Sequence, residues 1–285
     1  MADQSRRFAC TLCGKCCNRA PEVELSEAAG LVDHFVFRLM FRVYDQPDFP
    51  PTGSANETAV FFERKRQLKA FSARFWPIKS QERRKARTRY LVLSALALDG
   101  GTGACPALDE NRCSIWSDRP LTCRSVPLHY STPDSALVSR FDAFVTTPGF
   151  ACDTSDGAPV LIADGAVADA AISSARREAI EQTTIEARWK QAIVAQMRPD
   201  QPFSDSLPTR SQVEQHAASH AITVPMAAAW QIAASVGLVD KGAVRDLVGR
   251  QLRCIDRELA TQRWARSERE TLVEMRADYA GGVGP

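Results

Sequence analysis

The sequence predicts an α+β fold, in which a cysteine-rich N-terminal module with a few strands precedes a mainly helical C-terminal part. Eight of the nine cysteines lie within residues 10–152. The run 88–98, "TRYLVLSALAL", is apolar and partly β-branched, which is typical of a strand. From Ala163 onward the chain is rich in Ala, Glu, Arg and Gln at helical spacing. We therefore divide the chain near residue 160, into a cysteine module over 1–160 and a helical domain over 161–285.

The elements of the module follow from local patterns. A helix is predicted over 26–44, because Leu31, Phe35 and Leu39 recur on one side of it. A second helix is predicted over 57–75 and is ended by Pro77. These elements form a helical insertion, at about 21–98, between two cysteine segments. The remaining predicted elements are a β-hairpin at 136–147, helices at 165–197, 209–220, 225–236 and 240–277, and a loop at "ITVP", 222–225.

Charge and hydropathy exclude several classes of protein. The formal net charge is +2, so no overall field indicates a partner. The longest mostly apolar run, "LVLSALAL" at 91–98, is far shorter than the roughly 20 residues that span a bilayer. The N-terminus "MADQSRRFAC" has no apolar core of a secretory signal. We expect a cytoplasmic protein without a membrane partner, whose thiols stay reduced.

The segment "FACTLCGKCC", residues 8–17, places four cysteines in eight positions. Cys10, Cys13 and Cys16 form two overlapping C-x-x-C pairs, a spacing that brings two thiolates to one metal ion. C-x-x-C-x-x-C also begins the ligand run of bacterial ferredoxins. Adjacent side chains of an extended chain point to opposite sides, so Cys16 and Cys17 would reach two metals, or two sides of one polynuclear centre.

Further thiols come from later in the chain. The candidate metal ligands are Cys10, Cys13, Cys16, Cys17, Cys105, Cys113, Cys123 and Cys152. Eight thiols suffice for two tetrahedral sites, or for one iron–sulfur cluster and one zinc ion. The expected cofactors are therefore zinc, iron or both, and the bound metal would hold the N-terminal module together.

A known family shares these motifs. "FACTLCGKCC" followed by "CPALDENRCSIWSDRPLTCRSVPL", residues 105–128, resembles the CxxCxxCC family of zinc- or iron-chelating proteins, the YkgJ-type cysteine cluster proteins. The matching positions after the first motif are Cys105, Pro106, Leu108, Cys113, Arg119, Pro120, Cys123, Arg124 and Pro127. Trp116 stands where the family more often has Tyr. One branch is similar to flagellin lysine-N-methylase, so the resemblance also implies a possible enzyme.

Other side chains offer weaker candidates. Arg119 and Arg124 follow the second motif and are candidates for binding thiolates or an anionic substrate. His129 lies close to Cys123 in sequence, although a structural histidine is the more common case. Cys254 lies far from the other eight cysteines in sequence and is interpreted as a core residue. His216 and His220 share a helical face but lack the Glu of the zincin motif.

The most basic segment is 64–89, in which eleven Lys or Arg accompany one acidic residue. With Glu63 included, residues 63–89 carry a net charge of +9, and Phe71, Phe75 and Trp76 interleave with the cations. A solvated helix face with core aromatics is the ordinary explanation, and a nucleic-acid surface is the alternative.

Three functions follow from these patterns. The first is a metal-binding protein with a multi-cysteine zinc or iron centre. The second is a metal-dependent enzyme that modifies a protein or peptide, similar to a lysine methylase. The third is a nucleic-acid-binding module that uses residues 64–89.

Overall fold

The computed structural model describes residues 5–17, 19–50, 55–197, 207–216, 221–261 and 263–281. Its strands are β1 Arg6–Arg7, β2 Glu22–Val23, β3 Phe37–Pro47, β4 Arg74–Ile78, β5 Arg87–Ala97, β6 Leu108–Asp109, β7 Arg112–Cys113, β8 Val160–Ala163, β9 Ala166–Val167 and β10 Ile222–Pro225. Its α-helices are α1 Leu25–Leu31, α2 Ala55–Phe71, α3 Leu121–Arg124, α4 Leu137–Val145, α5 Ala170–Ile185, α6 Ala187–Gln196, α7 Arg210–His216, α8 Ala227–Ser235, α9 Lys241–Ala260 and α10 Arg266–Gly281. The predicted α+β class is confirmed, with a cysteine-rich N-terminal part followed by a helical C-terminal part. Within these ranges, no helix has both the length and the apolar composition that crossing a bilayer requires.

The main sheet is antiparallel, with strand order β10-β3-β5-β2, and β4 also pairs with β5. Strand β3 faces β5 along its whole length, from Phe37 opposite Ala97 to Pro47 opposite Arg87. The predicted strand at 88–98 is therefore confirmed. Two two-residue strands, β6 and β7, form a separate small hairpin, and β1 joins β8 and β9 in a third sheet.

The helix predicted over 26–44 is wrong beyond residue 31. The chain leaves α1 at Leu31 and runs as strand β3 from Phe37. Residues four apart share a face in a strand as well as in a helix, so the spacing of Leu31, Phe35 and Leu39 fits both. The pattern of alternating burial along β3, with Phe37 and Leu39 fully buried, is that of a strand.

Two shorter predictions are also wrong, whereas the remaining helices are largely confirmed. Residues 137–145 form helix α4 rather than part of a hairpin, because Leu137 and Phe141 bury one helical face in the smaller core. "ITVP" is not a loop but strand β10, which pairs with residues 38–41 of β3. The predicted helix at 209–220 begins as α7, and residues 217–220 lie outside the described ranges.

The two predicted parts of the chain share a core. Buried side chains from β3, β5, α8, α9 and α10 form one continuous apolar cluster, with Trp230 and Tyr279 among its largest members. In α9, the fully buried amide of Gln251 accepts from the backbone N–H of Phe37 at 3.0 Å and donates to the carbonyl of Phe35 at 2.9 Å. The boundary near residue 160 stays a prediction.

Candidate metal centre

Three chain segments carry the eight candidate cysteines, at residues 10–17, at 105–123 and around Cys152, and hydrogen bonds hold these segments together. Cys105 donates its backbone N–H to the carbonyl of Cys17 at 3.0 Å, which ties the second segment to the first. Ala9 pairs with Asp153 as an isolated antiparallel bridge, and the hydroxyl of Thr11 donates to the carbonyl of Ala151 at 2.7 Å. These bonds bring Cys152 to the first segment.

The first segment turns sharply at Gly14. Its φ is 71°, in the left-handed region that glycine adopts without strain, and the N–H of Cys17 donates to its carbonyl at 3.1 Å. A Cβ at Gly14 would lie 2.7 Å from the carbonyl oxygen of Asn111, in the turn between β6 and β7. Only glycine therefore lets the two cysteine segments approach this closely.

Four of the thiols form a group that we call the inner thiols. They are Cys17, Cys105, Cys113 and Cys123. Burial, together with the nearby charges of Cys105 and Cys113, raises the pKa of Cys123 to about 12. Burial also raises the pKa of Cys105, with Cys113 acting in the same direction. Cys105 and Cys113 pack against the main core.

The other four form a second group, the outer thiols. They are Cys10, Cys13, Cys16 and Cys152. Burial is the first cause that raises the pKa of Cys152. Three nearby thiols raise it as well, namely Cys16, Cys13 and Cys10. The pKa of Cys13 is lowered instead, chiefly by the backbone N–H of Lys15 and next by that of Ala151, which favour its thiolate.

Cys16 and Cys17 stand where the two groups meet. A hydrogen bond from the thiol of Cys17 to Cys16 lowers the pKa of Cys16 and raises that of Cys17. Burial and the charges of Cys105 and Cys123 raise the pKa of Cys17 as well, so its other neighbours are inner thiols. The adjacent pair thus supplies one sulfur to each group.

The donor chemistry of both groups fits a thiophilic ion. All eight thiols are free, and thiolates select zinc, copper(I) or iron–sulfur clusters. Across the part of the chain that the structure describes, however, no three His, Cys, Asp or Glu side chains are already arranged around one metal position. The segments bring the sulfurs into two neighbourhoods, and metal binding would have to draw the side chains together.

A solvent-open cleft of about 460 Å³ lies over the outer thiols. All four outer thiols line it, together with Cys17 and Cys113. Its other walls are mostly apolar and include Leu12, Trp116, Phe144 and Phe150. Leu12 and Trp116 are 43% and 45% exposed at its rim.

The two candidate arginines are placed differently. Arg119 donates from Nε to the carbonyl of Trp116 at 2.9 Å, and its guanidinium lies 3.3 Å from the centre of the Trp116 ring. Its charge still opposes the burial that raises the pKa of Cys123, so it lies near the inner thiols. Arg124 forms an exposed ion pair with Glu178 at 3.4 Å. Binding of thiolates or substrate by either arginine stays a prediction.

The weaker candidates have other surroundings. The ring of His129 packs on Tyr130 with centroids 4.2 Å apart, and its Nδ1 lies 2.8 Å from the hydroxyl of Ser131. Cys254 is buried in α9, where its sulfur accepts from Arg257 at 3.1 Å. His216 ends α7, whereas His220 lies outside the described residues.

Sequence reasoning missed Glu27. Its carboxylate accepts from the backbone N–H of Leu121 at 2.5 Å, at the start of the short helix that carries Cys123. Burial raises the pKa of Glu27 to about 7, and its charge contributes to the raised pKa of Cys123. No local motif links Glu27 to a helix 94 residues later, so only the fold reveals this contact.

Comparison with known families agrees with the cysteine motifs. Residues 9–148 match the family model CxxCxxCC, described as "Putative zinc- or iron-chelating domain". Cys152 lies just beyond the matched region. No curated protein and no solved structure matches the chain. The match supports a metal-binding role and metal ions as partners, without specifying the metal. Residues 9–148 of this chain therefore belong to the CxxCxxCC family of zinc- or iron-chelating domains.

Proposed function

We propose that the protein binds two metal ions, one through the four inner thiols and one through the four outer thiols. The observation that carries this proposal is the division at Cys16 and Cys17, whose other thiol neighbours belong to different groups. Four thiolates are the complete ligand set of a closed structural zinc site, so eight free thiols suit two ions. An iron–sulfur cluster in one group remains the alternative occupant.

The proposal predicts a metal content of two ions per chain in protein prepared without oxygen. Elemental analysis gives the number and identity of the ions, and visible absorbance separates coloured iron–sulfur centres from colourless zinc. We expect Cys13→Ser and Cys113→Ser each to remove one ion, because each variant disrupts one group. Cys254→Ser is the matched control and should retain both, since Cys254 is buried in α9.

Two results would contradict the proposal. A wild-type protein without bound metal under anaerobic, reducing conditions would exclude metal binding by these thiols. If Cys13→Ser and Cys113→Ser each lost the whole metal content while remaining folded, the eight thiols would form one polynuclear centre. The enzyme hypothesis rests on the family resemblance alone and stays a prediction.

A second candidate function rests on the hairpin formed by β4 and β5, residues 74–91, which we call the cationic hairpin. Lys85 pairs with Glu82, and Arg89 pairs with Asp45. Across the described parts of the chain, Lys79, Arg84 and Arg87 are exposed and lack an acidic partner. Unpaired cations at one end of a hairpin attract phosphates.

An exposed aromatic ring stands on the same hairpin. Phe75 is 48% exposed, and the ammonium of Lys69 lies 5.7 Å from the centre of its ring. Exposed rings provide stacking surfaces for unpaired bases. We therefore propose single-stranded nucleic acid as the ligand of the cationic hairpin.

This second proposal predicts charge-dependent binding of an oligothymidylate. We expect Arg84→Glu/Arg87→Glu to weaken binding at low salt by roughly tenfold or more and to flatten its salt dependence. Fluorescence anisotropy of a labelled oligonucleotide measures both quantities. The control Lys241→Glu/Arg245→Glu makes the same charge change on exposed positions of α9. Equal weakening in both double variants, or no binding by the wild type, would reject the hairpin as the site.

A further inference from the structure

The two thiol groups differ in their access to solvent. All four outer thiols line the cleft, and Cys10 is exposed. Cys105 and Cys123 of the inner group lie outside the cleft lining. An incoming ligand could therefore reach every outer sulfur through the cleft, but only part of the inner group.

The backbone around Cys123, one of the two inner thiols outside the cleft lining, is firmly held. Cys123 lies in α3, between Leu121, which is 5% exposed, and Ser125, which is fully buried. The carboxylate of Glu27 fixes the start of this helix through the N–H of Leu121. Freeing Cys123 from a metal ion would thus require local unfolding of a packed turn.

Two of the outer thiols, Cys10 and Cys152, lie next to exposed stretches of chain. Cys10 is followed by two exposed residues, Thr11 and Leu12, and Cys152 is preceded by the exposed Ala151. Exposed loops open at lower free energy than packed segments. Sulfurs on such loops can leave a metal ion one at a time, while water or another ligand takes their place.

Resting on the proposed function, we propose that the outer thiols hold an exchangeable metal ion and the inner thiols hold one that the protein keeps. The outer site passes its ion to competing ligands that enter the cleft, and the thiolates released take up protons from water. The inner ion remains bound because Cys123, which lies outside the cleft lining, can leave it only when the packed turn around α3 opens.

Release of zinc to a chromogenic chelator tests this difference. Protein loaded with two zinc ions under anaerobic, reducing conditions is mixed with an excess of the chelator, and absorbance reports the transferred metal. We expect two phases of about one ion each, with the first at least ~10-fold faster, the factor given by about 1.4 kcal/mol of additional opening free energy.

Variants assign the two phases. Cys10→Ser/Cys13→Ser should lose the fast phase and keep the slow one, because it removes two outer ligands. Cys254→Ser should keep both phases. Glu27→Gln leaves every thiol in place and should accelerate the slow phase only, because it weakens the bond that holds α3. This last variant tests the inner site without removing a ligand.

The failures of the two proposals are distinguishable. Two ions released in a single phase would overturn the difference between the sites and leave two-ion binding intact. A fast phase that survives in Cys10→Ser/Cys13→Ser would overturn the assignment of the exchangeable ion to the outer thiols. A protein that never takes up zinc would overturn the proposed function itself.

Discussion

Removal of the bound metal is expected to lower the melting temperature by roughly 10–20 °C. Structural zinc sites supply about 10–16 kcal/mol of apparent binding free energy in small peptides. Even ~5 kcal/mol of this would have the stated effect, at roughly 2–4 °C per kcal/mol for a chain of this size. Calorimetry of the metal-loaded and metal-free protein under reducing conditions measures the difference.

The loss of stability on metal removal should be concentrated in the second cysteine segment, residues 104–128. The segment contains only the two-residue strands β6 and β7 and the four-residue helix α3, so little regular secondary structure holds it without metal. Hydrogen exchange should accelerate there after metal removal, while β3 and β5 stay protected. Equal melting temperatures and equal exchange in both forms would show that the metal does not stabilise the module.

Replacement of Lys190 by methionine is expected to cost about 3–5 kcal/mol of stability, the usual penalty for breaking a buried ion pair. The ammonium of Lys190 pairs with Glu24 and lies 3.7 Å from Glu186. The side chains of Lys190, Glu24 and Glu186 are only 3%, 8% and 1% exposed. Lys190→Met keeps the apolar stem but leaves two carboxylates buried without their cation.

The stability lost in Lys190→Met should grow as pH rises. Burial, with the charge of Glu24 next, raises the pKa of Glu186 to about 7, and loss of Lys190 removes the charge that opposes this shift. A carboxyl with a raised pKa binds more protons in the folded state, so stability falls as pH rises from its unfolded pKa of about 4.5 through the folded value. Urea unfolding at pH 5 and at pH 8 should therefore show a larger loss at pH 8.

A matched variant separates charge from packing. Lys190→Met/Glu24→Gln removes one of the two unpaired carboxylates and should recover part of the lost stability. Glu186 still has its own donors, the backbone N–H groups of Leu25 at 2.9 Å and Ser26 at 2.6 Å. If Lys190→Met were as stable as the wild type at both pH values, the ion pair would contribute nothing to stability.

Secondary structure was predictable from the sequence wherever a residue pattern was compatible with only one type of element. The strand at 88–98 combined an apolar run with β-branched residues, and β5 formed there. Spacing of four at 31, 35 and 39 was ambiguous, because it places residues on one face of either element. Pairing with β5 makes residues 37–47 a strand rather than part of a helix. That pairing involves residues some fifty positions away in sequence, which a local pattern does not reveal.

The candidate site was predictable for a similar reason. Four cysteines within residues 10–17 have few explanations, and the family match at 9–148 agrees with them. The grouping of the thiols was not predictable, because it depends on contacts such as that between Gly14 and Asn111, which the fold creates. Glu27 carried no signal at all, since a single glutamate in a helix is ordinary.

The pairing of β10 with β3 has a consequence for biosynthesis. All eight candidate cysteines precede residue 153, whereas β10 begins at Ile222, about seventy residues later. A growing chain therefore presents its thiols and the open edge of β3 before the covering strand has been made. An uncovered strand edge pairs readily with other chains, and uncoordinated thiols are open to oxidation. While this interval is being synthesised, the nascent chain therefore exposes the edge of β3 and its thiols at the same time.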